Sequence, residues 1–365
     1  KFRVGILKKA KVTFKFYLQS TRPELRLYQT SLQIDPRDPV FRISFPDHYA
    51  AEIARENGLY YTQGMPEDTQ ALNDGALSDQ AFLEQCEEIV DQREKLLRAE
   101  LEKMDSGILA FVFETNDRIS HMFWRNHRIG PDHEVIEIAP EILSHYRRMD
   151  QVLGRVLEKS GSDTAVLVCS DHGFTNFDRQ VDMNRWLAEQ GYLVFSEEPD
   201  SKTWGALFKA VDWSRTRLYA VGFNGLYLNL MGREAQGIVP RSEGEVLLIE
   251  VKGKLEALID QPSGKRVIEK AYLGQEIYEG PFTHEAPDLI LGFRPGYRMS
   301  WQSAIGGAYR EAISPNTRKW SGDHLGDARF VPGVFFSSVP LPEVTSSAMR
   351  AQDLAELLLS LTIGR

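Results

Sequence analysis

The sequence predicts an α/β fold, a mostly parallel sheet flanked by helices, from two apolar strands and the helical segment between them. Residues 108–113 and 164–169 are short and almost wholly apolar, which is typical of strands covered on both faces. After Pro140, apolar side chains recur at the spacing of an amphipathic helix. A strand, a long helix and a second strand form the βαβ unit of a parallel sheet.

Residues 1–44 predict a small antiparallel β unit. From Val12 to Leu18 an apolar side chain occupies every second position, and Leu25 and Leu27 repeat this period of two. The period of two is that of a strand with one covered face.

Further elements complete a predicted core around the two strands. A long amphipathic helix is expected over 82–101, and a shorter one from Pro46 to Asn57, where Gly58 ends it. Later elements are a helix over 245–259, strands over 288–293 and 334–336, and a closing helix over 348–362. The predicted regions are the β unit at 1–44, the metal-binding α/β core at 45–175 and 288–365, and an inserted or cap region at 176–287.

Composition narrows the classes of partner. The chain has 365 residues and a net charge of -9, which excludes double-stranded nucleic acid because its binding rests on basic surface. No apolar stretch reaches the length of about 18 residues that a transmembrane helix needs. Cys86 and Cys169 lie among apolar residues and predict buried thiols rather than a disulfide. The compartment stays open, with the cytoplasm favoured, and the oligomeric state is not readable.

Three polar clusters follow apolar segments, at the strand ends where parallel sheets bind ligands. Asp117 and His121 are four residues apart and share one face if their segment is helical. Asp171 and His172 come directly after the strand at 164–169. His324 ends the sequence Ser-Gly-Asp-His.

Each cluster also has a purely structural interpretation. Asp117 suits a helix N-cap, and the Asp-His-Gly and Gly-Asp sequences suit turns. The five donors together exceed the three or four that one zinc ion takes from a protein, yet they do not saturate two ions. Carboxylates with imidazoles suit Zn²⁺ or Mn²⁺, so the set predicts two divalent metal ions with some ligands missing. His284, which precedes a predicted strand, is the histidine most easily mistaken for a ligand, and it is not expected to touch the site.

The motifs resemble those of the alkaline phosphatase superfamily. The segments that carry the resemblance are DRISHMFWR from Asp117, SDHGFTNF from Ser170 and KWSGDHLGD from Lys319. The segments YYTQGMPED from Tyr60 and APDLILGF from Ala286 support it. The closest branch is the predicted phosphohydrolases and phosphomutases related to type I phosphodiesterases/nucleotide pyrophosphatases. The resemblance covers the chain from about Phe45 onward.

The resemblance implies an alkaline-phosphatase-like fold and a division of ligands. Asp117, His121 and His324 would hold one ion, and Asp171 and His172 the other, with an Asp and a Thr or Ser nucleophile from an N-terminal strand and helix. No such segment is found before Asp117. We therefore identify no catalytic residue, and expect the chain to be an incomplete catalytic unit with little or no activity alone.

The expected function is metal-dependent hydrolysis of small phosphate mono- or diesters. A phosphomutase or sulfatase of the same superfamily is an alternative, although neither cysteine stands in the Cys-x-Pro-x-Arg setting of sulfatases. A metal-binding domain without turnover is the alternative from a different class.

Overall fold

The computed structural model describes residues 2–4, 8–131, 133–200, 202, 204–341 and 349–363. The chain divides into two compact units. Unit 1 comprises residues 1–128, 137–169 and 335–365, and unit 2 comprises residues 129–136 and 170–334. The predicted organisation, with a cap region at 176–287, stays a prediction.

The described residues include ten α-helices. They are α1 (Tyr49–Asn57), α2 (Thr69–Asn73), α3 (Asp79–Lys103), α4 (Thr115–Phe123), α5 (Pro140–Lys159), α6 (Met183–Glu189), α7 (Arg241–Glu256), α8 (Gly274–Ile277), α9 (Trp301–Ala304) and α10 (Asp353–Ile363). None of these helices is both long and apolar enough to cross a membrane.

The described strands are short, with two to seven residues each. They are β1 (Phe2–Val4), β2 (Lys8–Ala10), β3 (Val12–Thr13), β4 (Phe16–Ser20), β5 (Arg26–Gln29), β6 (Gln33–Ile34), β7 (Arg128–Ile129), β8 (Val135–Glu137), β9 (Leu167–Cys169), β10 (Thr175–Val181), β11 (Leu218–Ala220), β12 (Gly225–Leu228), β13 (Ile259–Asp260), β14 (Lys265–Arg266), β15 (Ile268–Leu273), β16 (Leu289–Phe293), β17 (Gly296–Met299), β18 (Ile313–Pro315), β19 (Gly322–Asp323) and β20 (Phe335–Ser337).

Unit 1 is built on α3, α4 and α5. Ser78 caps α3 by accepting a hydrogen bond from the Ala81 N–H, and Pro140 occupies the first turn of α5, where its missing N–H is not needed. Ion pairs join α3 to α5, because Glu94 contacts both Arg148 and Arg155. The N-terminal residues form antiparallel pairs, as the sequence predicts.

Unit 2 has the large apolar core. Two four-stranded sheets carry it, one with the order β11-β12-β16-β15 and the other formed by β10 with β17, β18 and β19. Leu247, Val251 and Leu255 of α7 are buried in this core at helical spacing. The helix predicted at 245–259 therefore exists, with its start four residues earlier.

The predicted mostly parallel sheet is not confirmed. The helix and strand content fits an α/β fold, but the sheets have only two to four strands, and β10 with β17 is the one parallel pair among the described strands. β9 covers only the last three residues of the strand predicted at 164–169, is half-buried or exposed rather than covered on both faces, and pairs antiparallel with β20. An apolar run specifies burial of a strand and leaves the direction of its partner open.

The strand predicted at 108–113 is wrong. These residues are not in a strand, and within the described chain their backbone makes no hydrogen bond to another backbone group. Exposed Ile108 and Val112 alternate with half-buried Leu109 and Phe113, so the segment has the exposure pattern of a strand without the ladder. An apolar run of this length predicts a strand, but it does not ensure that another strand lies beside it for pairing.

The prediction of two buried thiols is half right. Both cysteines are free; Cys86 is buried, but Cys169 is exposed. Cys169 ends a strand that pairs only with β20 among the described strands, so one side of it is uncovered. The first residue of the predicted closing helix at 348–362 lies outside the described residues, and the helix that forms, α10, starts at Asp353 and ends at Ile363.

Candidate metal centre

Unit 1 carries the first donor pair on α4. Asp117 and His121 lie one helical turn apart, and the distance from Asp117 Oδ1 to His121 Nε2 is 3.3 Å. His121 is buried, and Arg118 pairs with the second Asp117 oxygen at 3.1 Å. The predicted helical face is therefore confirmed, and the carboxylate orients the imidazole.

The start of α4 is fixed by a buried carboxyl group. The Thr115 hydroxyl donates a hydrogen bond of 2.6 Å to Glu67 Oε1, and both side chains are buried. Burial raises the pKa of Glu67, which the Thr115 hydroxyl opposes. Buried Ile119, Met122 and Phe123 hold the opposite face of the helix in the core.

Unit 2 brings His172 and His324 together although they are 152 positions apart in the sequence. The antiparallel pair β10–β19 places Thr175 opposite Asp323, so the residues preceding β10 lie beside the residue following β19. The two imidazole rings stack with centroids 3.5 Å apart and planes 10° apart, and each ring offers a nitrogen within 4.8 Å of the other's. The Phe174 ring packs edge-on against both.

Gly173 allows this turn because backbone approaches it closely. Its N–H donates to the Val331 carbonyl at 2.9 Å, and a Cβ at this position would lie 2.6 Å from the Pro332 carbonyl oxygen. Any side chain would have to push that backbone away. The glycine of the Ser-Asp-His-Gly motif is thus required for the position of His172.

The hydrogen bond of His172 to the backbone indicates which ring nitrogen carries the proton. Nδ1 lies 3.0 Å from the Gly173 carbonyl oxygen, which only accepts hydrogen bonds. In the neutral ring Nδ1 therefore carries the proton and Nε2 carries the lone pair. Asp171 is mostly exposed, and its Oδ2 lies 3.5 Å from that Nε2. This donor chemistry fits a divalent transition metal.

Asp323 holds the backbone at His324. Its Oδ1 accepts hydrogen bonds of 2.9 Å from the N–H groups of His324 and Leu325. Its Oδ2 accepts one of 2.8 Å from Trp320 Nε1 and forms an ion pair of 2.7 Å with Arg298 Nε. Both Asp323 and Arg298 are 2% exposed.

Sequence reasoning missed Arg298. Desolvation lowers the pKa of its guanidinium, and the Asp323 carboxylate opposes this. An arginine inside the apolar segment Gly296–Met299 was the available signal, because buried cations have partners. The partner lies 25 positions away, which no local pattern reveals.

His284 has partners that are close to it in the sequence. His284 is exposed, with its Nδ1 3.0 Å from the Pro281 carbonyl oxygen and its Nε2 3.6 Å from Glu285, as expected of a surface residue. Arg179 pairs with buried Asp260, which is 81 positions away in the sequence.

Comparison with known proteins completes the assignment of class. The family model described as Type I phosphodiesterase / nucleotide pyrophosphatase matches residues 42–324, well over half of the chain. A search of curated proteins finds no match. The match points to a phosphoric ester hydrolase, from a generally metal-dependent family that acts on small phosphate esters. The chain belongs to the type I phosphodiesterase/nucleotide pyrophosphatase family, within the alkaline phosphatase superfamily, and the resemblance seen in its motifs is confirmed.

Proposed function

We propose that this protein hydrolyses phosphate mono- or diesters with two divalent metal ions, Zn²⁺ or Mn²⁺. The observation that carries the proposal is the stacked pair of His172 and His324, whose rings each offer a nitrogen within 4.8 Å of the other's. Membership of a phosphodiesterase family supports the same chemistry.

The proposed ligands are those of the motif pattern. Asp117, His121 and His324 hold one ion, and Asp171 and His172 hold the other. When bound, two such ions activate an attacking hydroxyl group and neutralise charge on the phosphoryl oxygens.

The chain's own residues orient these ligands. Asp117 lies against the His121 ring, and the Gly173 carbonyl sets which nitrogen of His172 is protonated. The attacking hydroxyl is not assigned. Ser170 Oγ accepts a hydrogen bond from the Val334 N–H, and Thr115 donates to Glu67, so both nearby hydroxyl groups already have structural partners.

Metal binding gives the first test. Zn²⁺ or Mn²⁺ is titrated into the chain by calorimetry, with His324→Ala as the site variant and His284→Ala as the control. Loss of one ligand is expected to weaken binding by about tenfold or more, since even a residue that only supports a ligand is worth 10–100-fold. Equal effects of both substitutions would contradict the ligand assignment.

Ester hydrolysis gives the second test. Aryl phosphate mono- and diesters are supplied with each metal, and an aryl sulfate tests the sulfatase alternative. We expect slow, metal-dependent cleavage of the phosphate esters, because the hydroxyl groups of Ser170 and Thr115 are already hydrogen-bonded, and we expect Asp171→Ala to lose that cleavage. Turnover that needs no added metal and survives Asp171→Ala would refute the proposal.

A further inference from the structure

We propose that Arg298 is a positioning residue for the metal ligand His324, acting through Asp323. The inference rests on the proposed function, because it takes His324 to be a ligand. It assigns a role to a residue of β17, outside the metal-binding motifs, whereas His172 precedes β10 and His324 follows β19.

The connection runs through one carboxylate whose two oxygens have separate tasks. Oδ1 of Asp323 accepts hydrogen bonds from the backbone N–H groups of His324 and Leu325, and so fixes the turn that carries the His324 side chain. Oδ2 faces Arg298 Nε at 2.7 Å. If the guanidinium is removed, Oδ2 loses its ionic partner and keeps the hydrogen bond of 2.8 Å from Trp320 Nε1, so the carboxylate that holds the turn is less firmly fixed.

The guanidinium itself is held firmly. It lies 3.8 Å from the centroid of the Trp301 ring, and the Phe177 and Phe223 rings are each 5.3 Å away. These distances are those of cation–π contacts. The aromatic rings keep water from Arg298, so that its charge acts on Asp323 in a medium that screens it little.

A purely stabilising role explains this pair poorly. Well-packed apolar side chains of similar volume often stabilise a core as well as a buried ion pair does. The carboxylate of the Arg298–Asp323 pair belongs to the residue directly before His324, where its position sets the orientation of the His324 side chain. Arg179 and buried Asp260 form a comparable ion pair of 2.7 Å in the same unit. That pair is the matched control.

The test uses Co²⁺ alone as a spectroscopic probe of the whole chain. Co²⁺ is titrated into the native protein and into His324→Ala, Arg298→Met, Arg298→Lys and Arg179→Met, and the visible absorption bands report the ligands. We expect Arg298→Met to weaken Co²⁺ binding about tenfold or more and to change the spectrum, as losses of supporting groups do. Arg298→Lys keeps a cation and restores part of the affinity.

Arg179→Met separates positioning from stability. Both methionine variants are expected to lower the melting temperature, but only Arg298→Met changes the Co²⁺ spectrum. If Arg298→Met is poorly folded, Arg298→Lys carries the test, with a spectrum between those of the native protein and His324→Ala. If folded Arg298 variants bind Co²⁺ as the native protein does while His324→Ala does not, the positioning role of Arg298 is wrong and the proposed function still stands. Native binding by His324→Ala overturns the ligand assignment of the proposed function itself.

Discussion

The imidazole rings of His172 and His324 lie parallel, 3.5 Å apart between centroids, although one precedes β10 and the other follows β19. Each ring therefore restricts the orientation of the other. Replacing one histidine therefore changes the orientations open to the other ring, even if the backbone of that second histidine stays in place.

Coupling between the two histidines is the first expectation. His172→Ala and His324→Ala are each expected to weaken metal binding, and the double variant to lose less than the sum of the two losses, because either substitution already releases the other ring. Calorimetric titration of all four proteins gives the interaction free energy. Strictly additive losses would show that the stacking has no part in ligand orientation.

Gly173→Ala is expected to damage the site through the backbone. The new methyl group would meet the Pro332 carbonyl oxygen at 2.6 Å, so that one of the two segments must move, at a cost of about 1–3 kcal/mol. Gly253→Ala in α7 is the control, because nothing lies within 4 Å of its Cβ position, and it is expected to stabilise the helix by about 0.5–1 kcal/mol. Urea denaturation and metal titration are both measured. A Gly173→Ala protein as stable as Gly253→Ala, with native metal affinity, would contradict the close approach.

His145 is expected to make unit 1 sensitive to acid. Burial, with Arg148 as a smaller cause, lowers the pKa of His145 to about 4 from 6.5. The unfolded chain therefore takes up its proton first as the pH falls, and stability that is fully present above pH 6.5 is lost between pH 6.5 and 4. The loss approaches about 3 kcal/mol, from 1.36 kcal/mol per pKa unit.

The experiment compares the native chain with His145→Leu and with His48→Leu, whose side chain is 70% exposed. Unfolding free energies from urea denaturation at pH 4.5, 5.5 and 7.5 are expected to depend less on pH in His145→Leu, and to keep the native dependence in His48→Leu. Parallel pH curves for all three proteins would rule out this role of His145.

Glu94 is expected to contribute more to stability than other acidic residues of α3. It is nearly buried and pairs with Arg148 and Arg155 of α5, whereas Glu102 pairs with Lys159 across the same helices at 3.8 Å, with both side chains 59% exposed. Glu94→Ala is expected to cost about 2 kcal/mol, less than the 3–5 kcal/mol of a fully buried pair. Glu102→Ala should change the unfolding free energy by under about 0.5 kcal/mol. Equal losses would contradict this ranking.

The sequence predicts helices here better than sheets. The helices at 49–57, 79–103 and 140–159 follow from apolar stripes and from end signals such as Gly58, both of which are local. The pairing of β9 with β20 joins residues that are more than 160 positions apart, and no local pattern gives its direction.

The candidate site divides in the same way. His121 and His172 were predicted as ligands because each lies close in the sequence to an aspartate, Asp117 and Asp171. Arg298 was missed because its partner, Asp323, lies across the fold. Site residues that are close together in the sequence can be predicted from their spacing. Contacts between residues of different strands are seen only in the structure.

The segment Ile108–Phe113, with its alternating exposure, has a consequence for handling the protein in solution. In the described chain the backbone of this segment makes no hydrogen bond to another backbone group, although Arg93 donates to the Val112 carbonyl at 3.5 Å, and Ile108 and Val112 are exposed. Such a segment is a template for another polypeptide. High concentration should therefore favour self-association through intermolecular β-ladders. Light scattering over a dilution series would detect this, and Val112→Lys, a charge of the kind natural proteins place on such edges, should delay its onset.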